Sequence, residues 1–233
     1  MTDVLIDAAD GGQFSAYLAE PEGTAKAPGM IVIQEIFGVN ANVRAICDDY
    51  ARDGYIAIAP DLFWRQEPGV QLDSTTKEGW AQAMKFFRGF SETKGVEDLI
   101  ATLAWLRNHP RVTNKIGDVG YCLGGKLAYL MSTRSDTDAS VGYYGVAIEG
   151  SIGEAGAITK PLLLHAAEKD GFSSPAALEK VREGLAPIVH AAVEVYPGVD
   201  HAFARKGGEH YDAASAKLAD RRTAEFFEKN LKA

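Results

Sequence analysis

Cysteine is scarce in this chain, which has only Cys47 and Cys122 among its 233 residues. Two cysteines are too few for a disulfide scaffold, and no Cys-x-x-Cys or Cys/His spacing indicates a zinc site. The sequence therefore predicts no bound metal and no organic cofactor. Both thiols are expected to be reduced, as is usual in a cytoplasmic protein.

Long apolar runs and an excess of basic residues are also missing. The longest apolar stretches are strand-sized, and residues 1–14 lack the basic-then-apolar pattern of a secretion signal. Lys and Arg number 24 against 32 Asp and Glu, which gives a formal net charge of −8. An acidic protein is poorly suited to nucleic acid or to an anionic membrane, so we predict neither as a partner. A small anionic substrate stays possible, because one arginine can dominate a pocket.

What the chain does contain is a regular alternation of strand-like and helix-like segments. Val4–Ile6 and Phe14–Ala19 flank an Asp-Gly-Gly turn and predict a hairpin at a sheet edge. The unbroken apolar run Gly29–Gln34 predicts a strand buried on both faces, and Asn40–Arg52 has helical spacing. Further strands are predicted at 55–60, 115–121, 140–145, 161–167 and 192–196, and helices at 96–108, 126–133, 174–188 and 211–232. Residues 61–89 give a longer and less regular pattern.

This alternation predicts the fold class. A composition of 46% hydrophobic and 24% charged residues is that of an ordinary globular protein, and the length suits one large domain. Strands that alternate with helices imply a mostly parallel central sheet with helices on both faces. We therefore expect a single α/β domain over residues 1–233.

The most informative motif is Gly120-x-Cys122-x-Gly124, which joins a predicted strand to a predicted helix. It has the pattern of the nucleophile elbow of α/β-hydrolases, with Cys in place of Ser. The nucleophile stands on a tight, strained turn, and only small neighbours let strand and helix approach so closely. The turn also places the Leu123 N–H and the helix N-terminus where negative charge develops, which favours the thiolate.

Two other interpretations of this motif compete. A cysteine flanked by glycines can simply be a small buried residue ahead of a helix. The segment Gly120–Lys126 also matches the GxxxxGK of a phosphate-binding loop. Leu127, however, stands where a magnesium-binding Ser or Thr belongs, which argues against nucleotide binding.

A thiol nucleophile needs a base, and the base needs a group that orients it. In α/β-hydrolases the nucleophile, the acid and the histidine follow in that order along the chain. Asp170 lies in a polar loop after one late strand, and His201 lies in the loop after the last strand. Asp200 is adjacent to His201, and consecutive side chains seldom face each other. Asp170 is therefore the preferred acid, with Glu168 as the alternative.

The other histidines have simpler interpretations. His165 lies inside a predicted strand and is expected to be a hydrogen-bonded core residue, whereas His210 lies in a polar loop and fits a surface position. His109 and His190 lie at the ends of predicted helices. His201 is the histidine that a strand-end acid precedes.

Several segments together closely resemble the dienelactone hydrolase (carboxymethylenebutenolidase) family. They occur in the same order and cover essentially the whole chain: Gln34–Gly38, Gly120–Gly125, Val141–Gly145, Asp170 and His201–Arg205. The resemblance implies an α/β-hydrolase fold and an enzyme that opens an enol lactone or ester. It also implies a small-molecule substrate and a monomer.

Further roles follow from the resemblance. Glu35 would contact the resting cysteine and help it to become a thiolate, and the backbone N–H groups of Ile36 and Leu123 would form the oxyanion hole. Arg205 would bind a substrate carboxylate. The remaining implied substrate contacts are Trp80, Phe37 and Tyr144. From the residues alone, Glu35 can equally be a strand-end acid paired with an arginine, and Arg205 a solvated surface charge.

One departure from the family pattern concerns the substrate. The family has a second carboxylate-binding arginine on the helix after the loop Asp61–Gly79, and Trp80 stands in its place. The nearest arginine, Arg88, lies about two turns further on. Met84 stands in place of a pocket aromatic.

The predicted reaction is attack by Cys122 to give a thioester, followed by hydrolysis. A general carboxylesterase or thioesterase is the alternative enzyme, and a non-catalytic binding protein is the alternative from another class.

Overall fold

The structure is a computed structural model and describes residues 2–232. Its strands are β1 (Thr2–Asp7), β2 (Gln13–Ala19), β3 (Ala27–Ile33), β4 (Ile56–Pro60), β5 (Val112–Tyr121), β6 (Ala139–Tyr143), β7 (Leu162–Ala167) and β8 (Ala191–Tyr196). Its α-helices are α1 (Ala41–Arg52), α2 (Lys77–Gly89), α3 (Glu92–Asn108), α4 (Leu123–Arg134), α5 (Pro175–Leu185) and α6 (Ala213–Phe227). Two short 3-10 helices, Ile148–Gly150 and Ile152–Ala157, precede β7, and a π-helical turn, Glu228–Lys232, follows α6.

The strands of residues 2–232 form one eight-stranded sheet in the order β1-β2-β4-β3-β5-β6-β7-β8. The hairpin β1–β2 and the pair β2–β4 are antiparallel, whereas β3–β4, β6–β7 and β7–β8 are parallel. The predicted edge hairpin is therefore confirmed. So is the mostly parallel sheet with helices on both faces, which is the α/β-hydrolase fold. No helix within residues 2–232 is long and apolar enough to span a membrane.

The chain divides into two compact units, one up to Asp118 and one from Val119 onward. In the first unit, Met30–Ile33 in β3 are fully buried, as the unbroken apolar run predicts. The Asn40 side chain accepts the Val43 N–H and so caps α1, which buries Val43 and Cys47 along one face. A single domain over the whole chain stays a prediction.

The irregular pattern over residues 61–89 is helical in its second half, where the family resemblance implies a helix that carries Trp80. The Thr76 hydroxyl accepts the Gly79 N–H and starts α2, whose buried face consists of Gly79, Ala83 and Phe86. Two of these three buried residues are small, so the helical period is weak in the sequence. Residues 61–75 contain no helix.

The second unit carries the segment from the elbow to α6. Strands β6, β7 and β8 pair in register, with Ser140 opposite Leu162 and Leu162 opposite Ala191. Helix α4 is buried from Leu123 to Ser132, which explains why its sequence lacks a polar face. The predicted start of α4 at Lys126 is three residues late, because the helix begins directly at the elbow.

Candidate active site

Cys122 occupies the turn between β5 and α4 with an unusual backbone conformation. Its φ of 56° and ψ of −113° lie in a region that non-glycine residues rarely adopt. The strained turn is held on both sides. The Cys122 N–H donates to the Tyr143 carbonyl at 3.0 Å, and the Cys122 carbonyl accepts the N–H of Gly125, also at 3.0 Å. This is the tight strand-to-helix turn that the sequence motif predicts.

Glycines around the elbow allow α4 to approach its neighbouring strands. A Cβ atom at Gly120 would overlap the Gly124 carbonyl, and one at Gly125 would stand 2.5 Å from the Tyr143 carbonyl oxygen. A Cβ at Gly142 in β6 would stand 2.7 Å from the Gly125 carbonyl oxygen. Any side chain at these positions would push the helix away, so the glycines keep Cys122 in place.

The start of α4 gives Cys122 a polar environment on one side. The helix begins at Leu123, directly after the cysteine, and its first N–H groups have no acceptor within the helix. Such N–H groups and the helix dipole favour negative charge nearby. The Cys122 side chain is half-buried, so it is not a sealed core residue of the kind that Cys47 is.

Asp170 and His201 meet through their side chains. The Nδ1 atom of His201 lies 2.9 Å from Oδ2 and 3.1 Å from Oδ1 of Asp170, and only about one-twentieth of either side chain is exposed. The Asp170 carboxylate also accepts the Phe172 N–H at 2.8 Å. Asp170 is thereby fixed in the orientation that holds the imidazole.

The imidazole of His201 is hydrogen-bonded to Cys122 as well as to Asp170. Because Nδ1 faces Asp170, Nε2 is the ring nitrogen left for the thiol. Burial acts to lower the pKa of His201, but the hydrogen bonds to Asp170 and Cys122 and the charges of both groups raise it to about 10. The arrangement therefore stabilises the protonated form of His201.

The alternatives to Asp170 are engaged elsewhere. Glu168 accepts the Gly198 N–H at 2.8 Å, and Asp200 accepts the N–H of Gly171 at 2.8 Å. His165 is buried, with Nδ1 at 2.9 Å from the Tyr196 hydroxyl, so the prediction of a hydrogen-bonded core residue is confirmed. His210 is exposed, as expected for a surface position.

Two aromatic rings flank the imidazole of His201. The Tyr144 ring lies 5.1 Å from it and the Phe172 ring 4.8 Å, both edge-on. Tyr144 was anticipated as a substrate contact, but Phe172 was missed. Phe172 is 59% exposed although it is a large apolar residue. Its position two residues after Asp170 is the sequence signal that could have identified it.

Arg205 lies in the turn that follows His201. Its N–H donates to the Ala202 carbonyl at 3.0 Å, and Ala202 itself has a φ of 61°. The Arg205 side chain is buried and not solvated, at 9% exposure. Burial of this kind does not fit a plain surface charge.

The remaining predicted site residues belong to the unit that ends at Asp118. Glu35, Ile36 and Phe37 follow β3 directly, and all three are buried. The Phe37 ring packs edge-on against Trp80 with ring centres 5.0 Å apart, and the Trp80 indole N–H donates to the Ser74 carbonyl at 2.8 Å.

Helix α2 carries Trp80, Met84 and Arg88 on three successive turns. On α2, Met84 is half-buried one turn after Trp80, whereas Arg88 is exposed near the helix end. The aromatic and thioether side chains form an apolar face here.

Comparison with known proteins places the chain in a family. A sequence model described as the dienelactone hydrolase family matches residues 14–231. A protein of Azospirillum brasilense is 46% identical, over 99% of this chain and 100% of its own length. Carboxymethylenebutenolidase 1 of Cupriavidus pinatubonensis is 36% identical, over 95% of this chain and 94% of its own. A crystal structure from Klebsiella pneumoniae superposes with a TM-score of 0.86 at 27% identity, covering 98% of each chain.

These matches extend over nearly the full length of this chain and of each protein compared with it, and they agree with the resemblance that the motifs indicated. The chain therefore belongs to the dienelactone hydrolase family of carboxylic-ester hydrolases.

Proposed function

We propose that the chain opens an enol lactone or an activated ester with Cys122 as nucleophile, His201 as acid and base, and Asp170 as the group that orients His201. The observation that carries this proposal is the imidazole of His201, which lies 2.9 Å from the Asp170 carboxylate and whose pKa is raised by both Asp170 and Cys122. The strained elbow supports it, because a backbone conformation this costly is usually retained for function.

In the first step, the Cys122 thiolate attacks the carbonyl carbon of the ester, and the carbonyl electrons move onto oxygen. When the carbonyl re-forms, the bond to the leaving oxygen breaks and a thioester remains on Cys122. His201 gives its proton to the leaving oxygen and becomes neutral. The raised pKa of His201 supports its starting role as a proton donor.

In the second step, neutral His201 removes a proton from a water molecule, which attacks the thioester carbonyl. The carbon–sulfur bond breaks, the acid product leaves, and the thiolate and imidazolium are restored. Asp170 stabilises the imidazolium in both steps without changing its own protonation. A thiolate suits esters with good leaving groups, because a poor one would let the first intermediate expel the sulfur instead.

Other parts of the machinery stay predictions from the family resemblance. The N–H groups of Ile36 and Leu123 would stabilise the oxyanion, at about 3 kcal/mol per donor. Glu35 would contact the resting thiol, and Phe37 would line the pocket. A cytoplasmic location, a monomeric state, and the lack of nucleic-acid and membrane partners also stay predictions.

A substrate that carries a carboxylate is the form of this proposal that we favour. Relatives named carboxymethylenebutenolidase support it, and so does a buried arginine, Arg205, four residues after His201. Trp80, with its apolar neighbour Met84, supports a second candidate, a general carboxylesterase or thioesterase on the same site.

The nucleophile is tested by Cys122→Ala and Cys122→Ser, assayed on a p-nitrophenyl ester. We expect Cys122→Ala to abolish turnover and Cys122→Ser to leave weak activity at best, because the surroundings stabilise a thiolate. Cys47→Ala is the matched control, since Cys47 is the other cysteine and is buried in α1, and it should keep wild-type activity. Unchanged turnover in Cys122→Ala would remove the nucleophile assignment.

The substrate class is tested by Arg205→Ala on cis- and trans-dienelactone beside a neutral p-nitrophenyl ester. If Arg205 anchors a carboxylate, kcat/KM should fall on the lactones by about 10-fold or more and change little on the neutral ester. Arg88→Ala, which removes an exposed arginine, is the control. Equal losses on both substrates would favour the general esterase.

A further inference from the structure

The carboxylate of Asp200 lies between the two loops that carry Asp170 and His201. Its Oδ1 atom accepts the Gly171 N–H at 2.8 Å and the His201 N–H at 2.6 Å. Gly171 directly follows Asp170 in the chain. The Oδ1 atom of Asp200 therefore links the backbone of Gly171, next to Asp170, to the backbone of His201.

Other bonds between the two loops lie further from the site. Lys169 donates its N–H to the Val199 carbonyl at 3.0 Å, and Glu168 accepts the Gly198 N–H at 2.8 Å. These bonds continue the pairing of β7 with β8 into the loops. Neither bond involves Asp170 or His201. The bonds of Asp200 involve His201 itself and Gly171, the residue that follows Asp170.

The second oxygen of Asp200 has its own partner. Oδ2 lies 3.3 Å from Nδ1 of His210. The side chain of His210 is 45% exposed and that of Asp200 is 37% exposed. Burial acts to raise the pKa of Asp200, but the backbone N–H groups of His201 and Gly171 outweigh it and hold that pKa below its ordinary value. Asp200 is therefore ionised at neutral pH, and bonds from N–H groups to an anion are stronger than those to a neutral acceptor.

We propose that Asp200 is a positioning residue, which fixes the distance between the Asp170 carboxylate and the His201 imidazole by holding their two loops together. This inference rests on the proposed function, because it gives Asp200 a role only if His201 and Asp170 are catalytic. Asp200 need not touch substrate or the reacting atoms. The observed Nδ1–Oδ2 separation is 2.9 Å, and a displacement of about 1 Å in such a site can cost about 100-fold in rate.

The first experiment compares Asp200→Ala with Asp200→Asn on an activated ester. Asp200→Ala removes the shared acceptor, so kcat should fall by about 10-fold or more while KM stays within about twofold. Asp200→Asn keeps an oxygen that can accept both N–H groups, so it should recover most of the activity. Asp212→Ala is the matched control, because the Asp212 carboxylate accepts the Ser215 N–H at 2.8 Å as the N-cap of α6, eleven residues after His201.

The second readout is the pH profile of kcat/KM. A loss of folded protein would lower every point of this profile by the same factor, without shifting the profile along the pH axis. His201 is hydrogen-bonded to Cys122 and Asp170, and their charges, with that of Asp200 nearby, hold its proton. If Asp200→Ala loosens the contact with Asp170, the basic limb of the profile should move to lower pH. Iodoacetamide labelling of Cys122 at neutral pH should slow in parallel, because the imidazolium that supports the thiolate is weakened.

The outcomes separate this inference from the proposed function. If Cys122→Ala is inactive but Asp200→Ala matches Asp212→Ala in kcat and pH profile, Asp200 has no positioning role and the proposed function stands. An Asp200→Asn variant as impaired as Asp200→Ala would also overturn the inference, because hydrogen bonding would then not be what matters. Full activity in Cys122→Ala would instead overturn the proposed function.

Discussion

His165 should make the folded protein sensitive to acid, and this can be measured apart from any catalysis. The residue is buried in β7, with Nε2 at 2.9 Å from the Thr223 hydroxyl and Nδ1 at 2.9 Å from the Tyr196 hydroxyl. Burial, and then the positive charge of Arg222, lower the pKa of His165 to about 3. The folded protein therefore keeps this histidine neutral over a range in which the unfolded chain protonates it.

The sign and size of the effect follow from that difference. Between the ordinary histidine pKa of about 6.5 and the folded value of about 3, the unfolded state binds one more proton at this position. The contribution is complete above pH 6.5, and the free energy of unfolding falls by about 1.4 kcal/mol for each pH unit below it. Between pH 7 and pH 4, His165 should account for a loss of about 3 kcal/mol.

The assay is urea denaturation, followed by tryptophan fluorescence, at several pH values from 7 to 4. His165→Gln keeps hydrogen-bonding capacity but has no titrating group, so its stability should fall less steeply than that of the wild type. His190→Gln is the control, because His190 is exposed and its removal should leave the wild-type profile. Parallel profiles for His165→Gln and the wild type would refute the neutral, buried state of this ring.

Three further predictions concern packing and access. In Gly125→Ala, the added methyl group would meet the Tyr143 carbonyl oxygen at 2.5 Å, so we expect a loss of about 3 kcal/mol or more in urea denaturation, together with loss of activity. In Asp98→Ala, the Trp64 indole N–H loses its acceptor while Arg65 keeps its ion pair with Asp10, so the free energy of unfolding should fall by about 1–3 kcal/mol by the same assay. In Phe172→Ala, the melting temperature should hardly change because the side chain is 59% exposed, whereas KM for an aromatic ester should rise by about threefold to tenfold. An unchanged KM would show that this ring does not contact the substrate.

The sequence was sufficient to predict the features that are local in the chain. An unbroken apolar run, Gly29–Gln34, is enough to predict a buried strand. Small residues on both sides of the cysteine in Gly120-x-Cys122-x-Gly124 are enough to predict a tight turn. The structure gives Ile33 no exposure and Cys122 a φ of 56°. The assignment of Asp170 and His201 followed from the chain order of nucleophile, acid and histidine in α/β-hydrolases, together with their positions in loops after late strands.

The features that sequence reasoning missed depend on which loops lie side by side. Asp200 was set aside because a side chain seldom faces its neighbour, yet it bonds across to Gly171 on the adjacent loop. Phe172 gave no periodic signal, and its ring reaches His201 only because Asp170 holds both. Helix α2 followed from the family resemblance and not from its own pattern, since small residues fill much of its buried face.

The central claim is that the acyl group of the substrate passes through the sulfur of Cys122. The most direct test is to mix the enzyme with an activated ester, quench it in acid within a single turnover, and locate the acyl group by peptide mass spectrometry. We expect a thioester on the peptide that contains Cys122, with no acyl group on the Cys47 peptide. An acyl group on a serine or tyrosine, or a Cys122→Ala variant that still accumulates an acyl-enzyme, would contradict it.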